Sequence, residues 1–203
     1  MTIIRAMLLT YVVLLAATWT PLASQATAER TIPNGSVRQG TLSFDGRASA
    51  GDFTGTTTDV TGELRGGELT AVRGWVEAPV RTLATGNKRR DRDLNKSMES
   101  SKYPTIRFEL TEVTGPTGTG DSLDVVLHGR FTIHGVTREA TLPVSVVFSP
   151  ETIRVRGGTR LNLKDYKIGG LSKALGMLKM HEEIVVHIDV TFGPMKPSQQ
   201  AAR

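Results

Sequence analysis

Cysteine is absent from the 203 residues. That excludes disulfides, thiolate metal ligands, a cysteine nucleophile and lipid attachment through an N-terminal cysteine. Aromatic residues are scarce, at 5%, and none interleaves with a basic patch. The basic balance, 25 Lys and Arg against 20 Asp and Glu, therefore does not read as nucleic-acid recognition, which joins charge to stacking platforms. Long apolar runs are missing except at the extreme N-terminus, so a polytopic helical membrane protein is excluded. Gly66-Gly67 and Gly157-Gly158 lack the strand-then-helix context of a phosphate loop.

What is there begins with residues 1–28, which read as a secretory signal peptide. Arg5 supplies the positive start, residues 6–19 an apolar stretch, Pro21 a break, and Ala26-Thr27-Ala28 a small-residue cleavage site. The stretch is shorter than the ~20 residues of a spanning helix, which disfavours an uncleaved anchor. A periplasmic or secreted location is the expectation, and a cysteine-free chain suits it.

Residues 31–193 read as one domain, followed by a disordered tail over 194–203. Apolar residues recur at every second position, the period of a half-buried strand. Leu42 and Phe44 open the pattern, and a Thr- and Gly-rich run over 53–64 forms a weaker strand. Val72, Val76 and Val80 follow, then Ile106, Phe108 and Leu110. Leu123 to Ile133 alternate without a break, as do Ala140 to Phe148, Ile153 to Leu163 and Ile184 to Phe192. That makes eight strands. Two helices are expected, a charged one over 91–101 with Asp91 near its N-cap, and an amphipathic helix or lid over 171–180 on Leu171, Leu175 and Leu178.

Eight alternating strands with short connections predict an all-β, eight-stranded antiparallel barrel with one or two short helices, because closure removes edge strands. A β-sandwich is the rival arrangement. The residues expected to line the bore are Phe44, Val76, Phe108, Leu127, Gly129, Phe131, Ile133, Leu142, Val144, Phe148, Val155, Gly157, Leu161, Tyr166, Ile168 and Ile188. Gly74, Ala78, Gly129, Ala140, Gly157 and Thr159 fill little volume there, so the interior is expected to be partly vacant and to admit a greasy occupant. In the alternative, these small residues are kinks and the barrel is filled.

Four segments, in order, resemble the YceI-like family of polyisoprenoid-binding proteins. They are Val72-Arg73-Gly74-Trp75-Val76 running on to Arg90-Asp91-Arg92-Asp93-Leu94; Tyr103-Pro104-Thr105-Ile106-Arg107-Phe108; Gly129-Arg130-Phe131-Thr132-Ile133-His134-Gly135-Val136-Thr137; and Leu161-Asn162-Leu163-Lys164-Asp165-Tyr166-Lys167-Ile168-Gly169. The resemblance implies a lipocalin-like barrel holding an isoprenoid chain. It also implies an exported, non-enzymatic carrier or reservoir for lipids such as quinones or polyprenyl phosphates. Family members often carry paired aromatics where this chain has Lys96-Ser97-Met98-Glu99-Ser100.

Chemistry-bearing residues give weaker signals. His128 and His134 share the outward parity and stand about 20 Å apart at ~3.3 Å per residue, too far to share a metal. With His181 and His187 they read as surface histidines, and no metal or cofactor is expected. Asp91, Asp93 and Asp165 read as caps and turn formers. Arg89, Arg90 and Arg92 are candidate head-group ligands if they rim the opening, and a solvated basic loop if they do not. Peripheral contact with an anionic membrane surface suits the charge. The oligomeric state stays open, a homodimer included. Two rival readings are an enzyme using Asp165, Tyr166 or His134 on a sequestered lipid, and a filled barrel acting as an interaction module.

Overall fold

The computed structural model describes residues 30–195, apart from 50, 170, 171 and 174–177. The leader expected over 1–28 and nearly all of the tail lie outside the described residues. In chain order the strands are β1 (Thr31–Ile32), β2 (Gly35–Gly46), β3 (Phe53–Thr57), β4 (Thr61–Arg65), β5 (Gly67–Glu68), β6 (Arg73–Pro79), β7 (Thr105–Thr119), β8 (Ser122–Ile133), β9 (Val136–Phe148), β10 (Ile153–Asn162), β11 (Ser172–Lys173), β12 (Leu178–Lys179) and β13 (Glu183–Pro194). The helix α1 is Lys88–Ser97.

Each ladder is antiparallel, in the order β13-β10-β9-β8-β7-β6-β4-β2, and β13 pairs back onto β2, from Val185 opposite Asp45 to Pro194 opposite Gly35. The sheet is thus a closed barrel. β3 and β4 together make one interrupted strand, both antiparallel to β2, with Gly46 opposite Phe53 and Gly35 opposite Leu64. Counted so, the barrel has eight strands, and the sandwich alternative falls.

The alternation reads directly onto burial. In β8, Leu123, Val125, Phe131 and Ile133 are buried while Asp124 and Arg130 face solvent. A bulge in β7 between Leu110 and Glu112 advances the inward register by one residue, so Val113 rather than Glu112 is buried. β6 stops at Pro79, which has no N–H for the ladder. The chain then crosses through a 3-10 turn, Val80–Thr82, to bridge β3 at Thr56 and Ala84, sealing the wall with Val80 and Leu83.

The barrel has two unlike ends. At the end of Gly35, Arg65 and Phe148, a plug is formed by the β1–β5 ladder and the 3-10 turn Leu69–Ala71, with Ile32, Leu69 and Val72 buried. At the other end lie α1 and a 3-10 turn, Leu163–Tyr166.

Two local expectations are corrected. α1 starts at Lys88 rather than Asp91, because the Asn87 side chain accepts from the N–H groups of Arg89 and Arg90 at 3.0 and 3.1 Å. Asp91 instead accepts from the Thr85 N–H and hydroxyl at 2.8 and 2.6 Å, tying the first turn to the loop before it. In the segment expected as a second helix, β11 and β12 pair antiparallel, Ser172 opposite Lys179; Leu171 and Leu175 lie outside the described residues. Pro194, assigned to the tail, is the last residue of β13.

On the outer wall, Asp189 of β13 takes a two-pronged hydrogen bond from Arg154 of β10, at 2.8 and 2.7 Å. That bond, with the Arg156 charge, holds the Asp189 carboxyl below the usual aspartate range. Because the folded value is the lower one, the stabilisation is present at neutral pH and disappears as pH falls below that range. The pair is half exposed, so Asp189→Asn should cost under about 1 kcal/mol. Thermal melts at pH 7 and in acid should show the variant losing less stability than the wild type. An equal acid loss in both would remove Asp189 from the account.

Candidate functional site

Among the described residues, two cavities lie inside the barrel. The larger, about 370 Å³, lies at the α1 end, and the smaller, about 80 Å³, at the plugged end. Side chains from six of the eight barrel strands form the larger chamber: Leu42 and Phe44 from β2, Phe53 from β3, Ile106 from β7, Phe131 and Ile133 from β8, Leu161 from β10, Ile184 and Val186 from β13. These are inward positions of alternating strands, so the wall is apolar by construction. Its roof is α1, which turns Leu94 and Met98, four residues apart, into the chamber. Most of its polar residues, Asn87, Arg89, Arg90, Asp93 and Ser97, come from α1 and its N-cap, and Ser43 comes from β2.

Of the residues expected to line the bore, Phe44, Phe131, Ile133, Leu161 and Ile168 line the larger chamber. Val76, Phe108, Leu127, Phe148, Val155 and Ile188 line the smaller one. Gly129, Leu142, Val144, Gly157 and Tyr166 line neither. The gap expected at Gly129 is occupied by the Phe108 ring, which would lie 2.6 Å from a β-carbon placed on Gly129. At Gly157 a β-carbon would meet the Pro143 carbonyl oxygen at 2.3 Å. Both glycines permit close approach of a neighbouring strand or ring and leave no vacancy.

Of the three candidate head-group arginines, Arg89 and Arg90 are at the rim, and Arg92 is exposed on the outer side of α1, outside the lining. The Arg90 guanidinium lies 4.2 Å over the Phe53 ring, which fixes it at the edge of the apolar wall. Lys88, Arg89, Arg92 and Lys96 are the exposed residues of α1, so the outer face of the roof is entirely cationic.

Sequence reasoning missed Leu42, Phe53, Leu94, Met98, Leu163, Ile184 and Val186 of the larger chamber. Leu42, Ile184 and Val186 share parity with residues it did choose; Leu94 and Met98 carried a helical spacing that pointed at a buried face.

His134 is not a surface histidine. It sits in the β8–β9 turn at φ +51°, is buried, and packs edge-on to Tyr103 with ring centroids 4.6 Å apart. Its Nδ1 is 3.0 Å from the Tyr166 carbonyl oxygen and its Nε2 3.5 Å from a Glu99 carboxylate oxygen. The turn reverses the chain, so strand parity does not extend to residue 134. His128 is half-buried against the Thr114 hydroxyl at 2.8 Å, whereas His187 is exposed and meets Asp45 at 2.8 Å. Burial pushes the Tyr166 phenol up. His134 and Tyr166 are buried and Asp165 is exposed, and none of the three is in the chamber lining. Among the described residues no three His, Asp or Glu side chains gather as metal ligands.

The model of the YceI-like domain family matches residues 34–192. No curated protein matches the chain. Among solved structures, the fold is similar to a polyisoprenoid binding domain from Saccharophagus degradans implicated in plant cell wall breakdown. That match has a TM-score of 0.64 and 15% identity, covering 79% of this chain and 98% of the other. Burkholderia cenocepacia BcnA superposes with a TM-score of 0.62 at 14% identity, over 75% of this chain and 95% of its own. A Campylobacter jejuni YCEI protein does so at 0.51 and 13%, over 93% and 100%.

Proposed function

The chain belongs to the YceI-like domain family, and on that premise we propose that it is an exported, periplasmic or secreted carrier or reservoir for an isoprenoid lipid. The observation that carries this reading is the chamber of about 370 Å³, lined mainly by apolar side chains, with most of its polar residues on the α1 roof. A prenyl tail gains roughly 25 cal/mol for each Å² taken out of water, with no need for a partner group along its length. Arg89 and Arg90 stand where the head of such a molecule would emerge, and a quinone carbonyl or a phosphate would accept their N–H groups. The cationic outer face of α1 favours approach to an anionic bilayer, from which the lipid would be loaded. Binding rather than catalysis is favoured because His134, Asp165 and Tyr166 lie outside the chamber lining, where among the described residues the Asp93 carboxylate is joined by no histidine, tyrosine or second carboxylate.

The purified protein, extracted with organic solvent and analysed by mass spectrometry, should release a prenyl lipid. Stripped of it, the protein should take up a prenyl quinone from vesicles, faster from anionic than from neutral ones at low salt. Neither lipid in the extract nor uptake from either vesicle would overturn the reading. Equal rates from both vesicles would remove only the membrane contact.

A further inference from the structure

The two chambers share no lining residue. The two linings meet at a cross-strand aromatic pair: Phe108 of β7 stands opposite Phe131 of β8, with ring centroids 4.8 Å apart and planes at 50°. Both rings are 5% exposed. Phe131 faces the larger chamber and Phe108 the smaller. The Phe108 ring is pressed onto the bare backbone of Gly129, where a β-carbon would stand 2.6 Å from Cζ and 2.9 Å from Cε2.

We infer that the Phe108–Phe131 pair is the floor of the binding site and sets the length of tail this protein holds. The inference rests on the binding reading above and adds a limit to it: the ligand is a short prenyl chain that stops at the floor rather than one threaded through the barrel. At the packing density of protein interiors, roughly 0.75, a chamber of about 370 Å³ accepts ~280 Å³ of ligand, about 14 carbon groups of ~20 Å³ each. That is about three isoprene units.

Prenyl alcohols of graded length, from two to eight isoprene units, test this by competition against a bound fluorescent fatty acid. In the wild type, affinity should climb by more than about tenfold per unit while the added carbons are buried, and level off after about three units. Phe108→Ala joins the two chambers, so the climb should continue by at least one further unit. Phe131→Leu, a milder change, keeps the test open if the alanine variant does not fold, and should shift the break in the same direction. A wild-type affinity that keeps rising to eight units overturns the inference and leaves the binding reading intact. So does a break that stays in place in a folded variant. No competition by any alcohol would count against the binding reading, and the floor would fall with it.

Discussion

Val186→Trp is expected to fold normally and to lose about a hundredfold in affinity for a prenyl ligand. Val186 points into the larger chamber from β13, where it stands between Phe44 of β2 and Thr159 of β10. A larger side chain in a packed core usually costs ~1–3 kcal/mol through strain. Here it extends into a cavity of about 370 Å³, so no backbone has to shift and the added apolar surface is itself buried. The indole then occupies the space of the tail. Displacing about 120 Å² of tail surface at ~25 cal/mol per Å² costs about 3 kcal/mol, on the order of a hundredfold in Kd. Val147→Trp on the outer wall, at a position 43% exposed, is the control and should bind as the wild type does. Competition with a prenyl alcohol reads both variants. Unchanged affinity in a folded Val186→Trp protein would mean that the chamber is not where the ligand lies.

How far the bore could be read from the chain depends on which neighbour fills each position. Along β8 the alternation of Leu123 to Ile133 specifies side and strand at once, because a shift of one residue would turn every apolar side chain to water. The closed barrel and the inward set follow from such runs. What fills the space beside a glycine is decided by the next strand, so Gly129 reads as a gap until β7 lays Phe108 across it. For the same reason Leu142 and Val144 share parity with lining residues yet are covered by their neighbours and line neither chamber. His134 escaped because periodicity stops at a turn, and the helix start escaped because a single Asn87 outweighs the acidic residue four positions on. The rim arginines were legible as a cluster, but not the division between Arg89 and Arg90 at the rim of the chamber and Arg92 away from it.

Gly129→Ala is the substitution expected to damage the fold most for its size. In an ordinary strand, alanine for glycine gains roughly 0.5–1 kcal/mol by restricting the unfolded chain. At position 129 the added carbon would stand 2.2 Å from the Glu109 carbonyl oxygen and 2.6 Å from Phe108 Cζ. The first contact is with backbone in the β7–β8 ladder, which cannot yield without breaking the pairing of Glu109 with Arg130 and of Leu110 with Gly129. The expected cost is about 3 kcal/mol or more, at the upper edge of what overpacking causes, and denaturant melts should show it. A double variant separates the two contacts. Phe108→Leu removes the ring and leaves the carbonyl, so if the backbone collision governs, Gly129→Ala should cost nearly as much in the leucine background as in the wild type. If the ring governs, the cost should shrink to a fraction, and the two sites would couple by 1 kcal/mol or more, as neighbours in contact do. A neutral Gly129→Ala in both backgrounds would contradict the packing at the waist of the barrel, and with it the floor that Phe108 is held down to form.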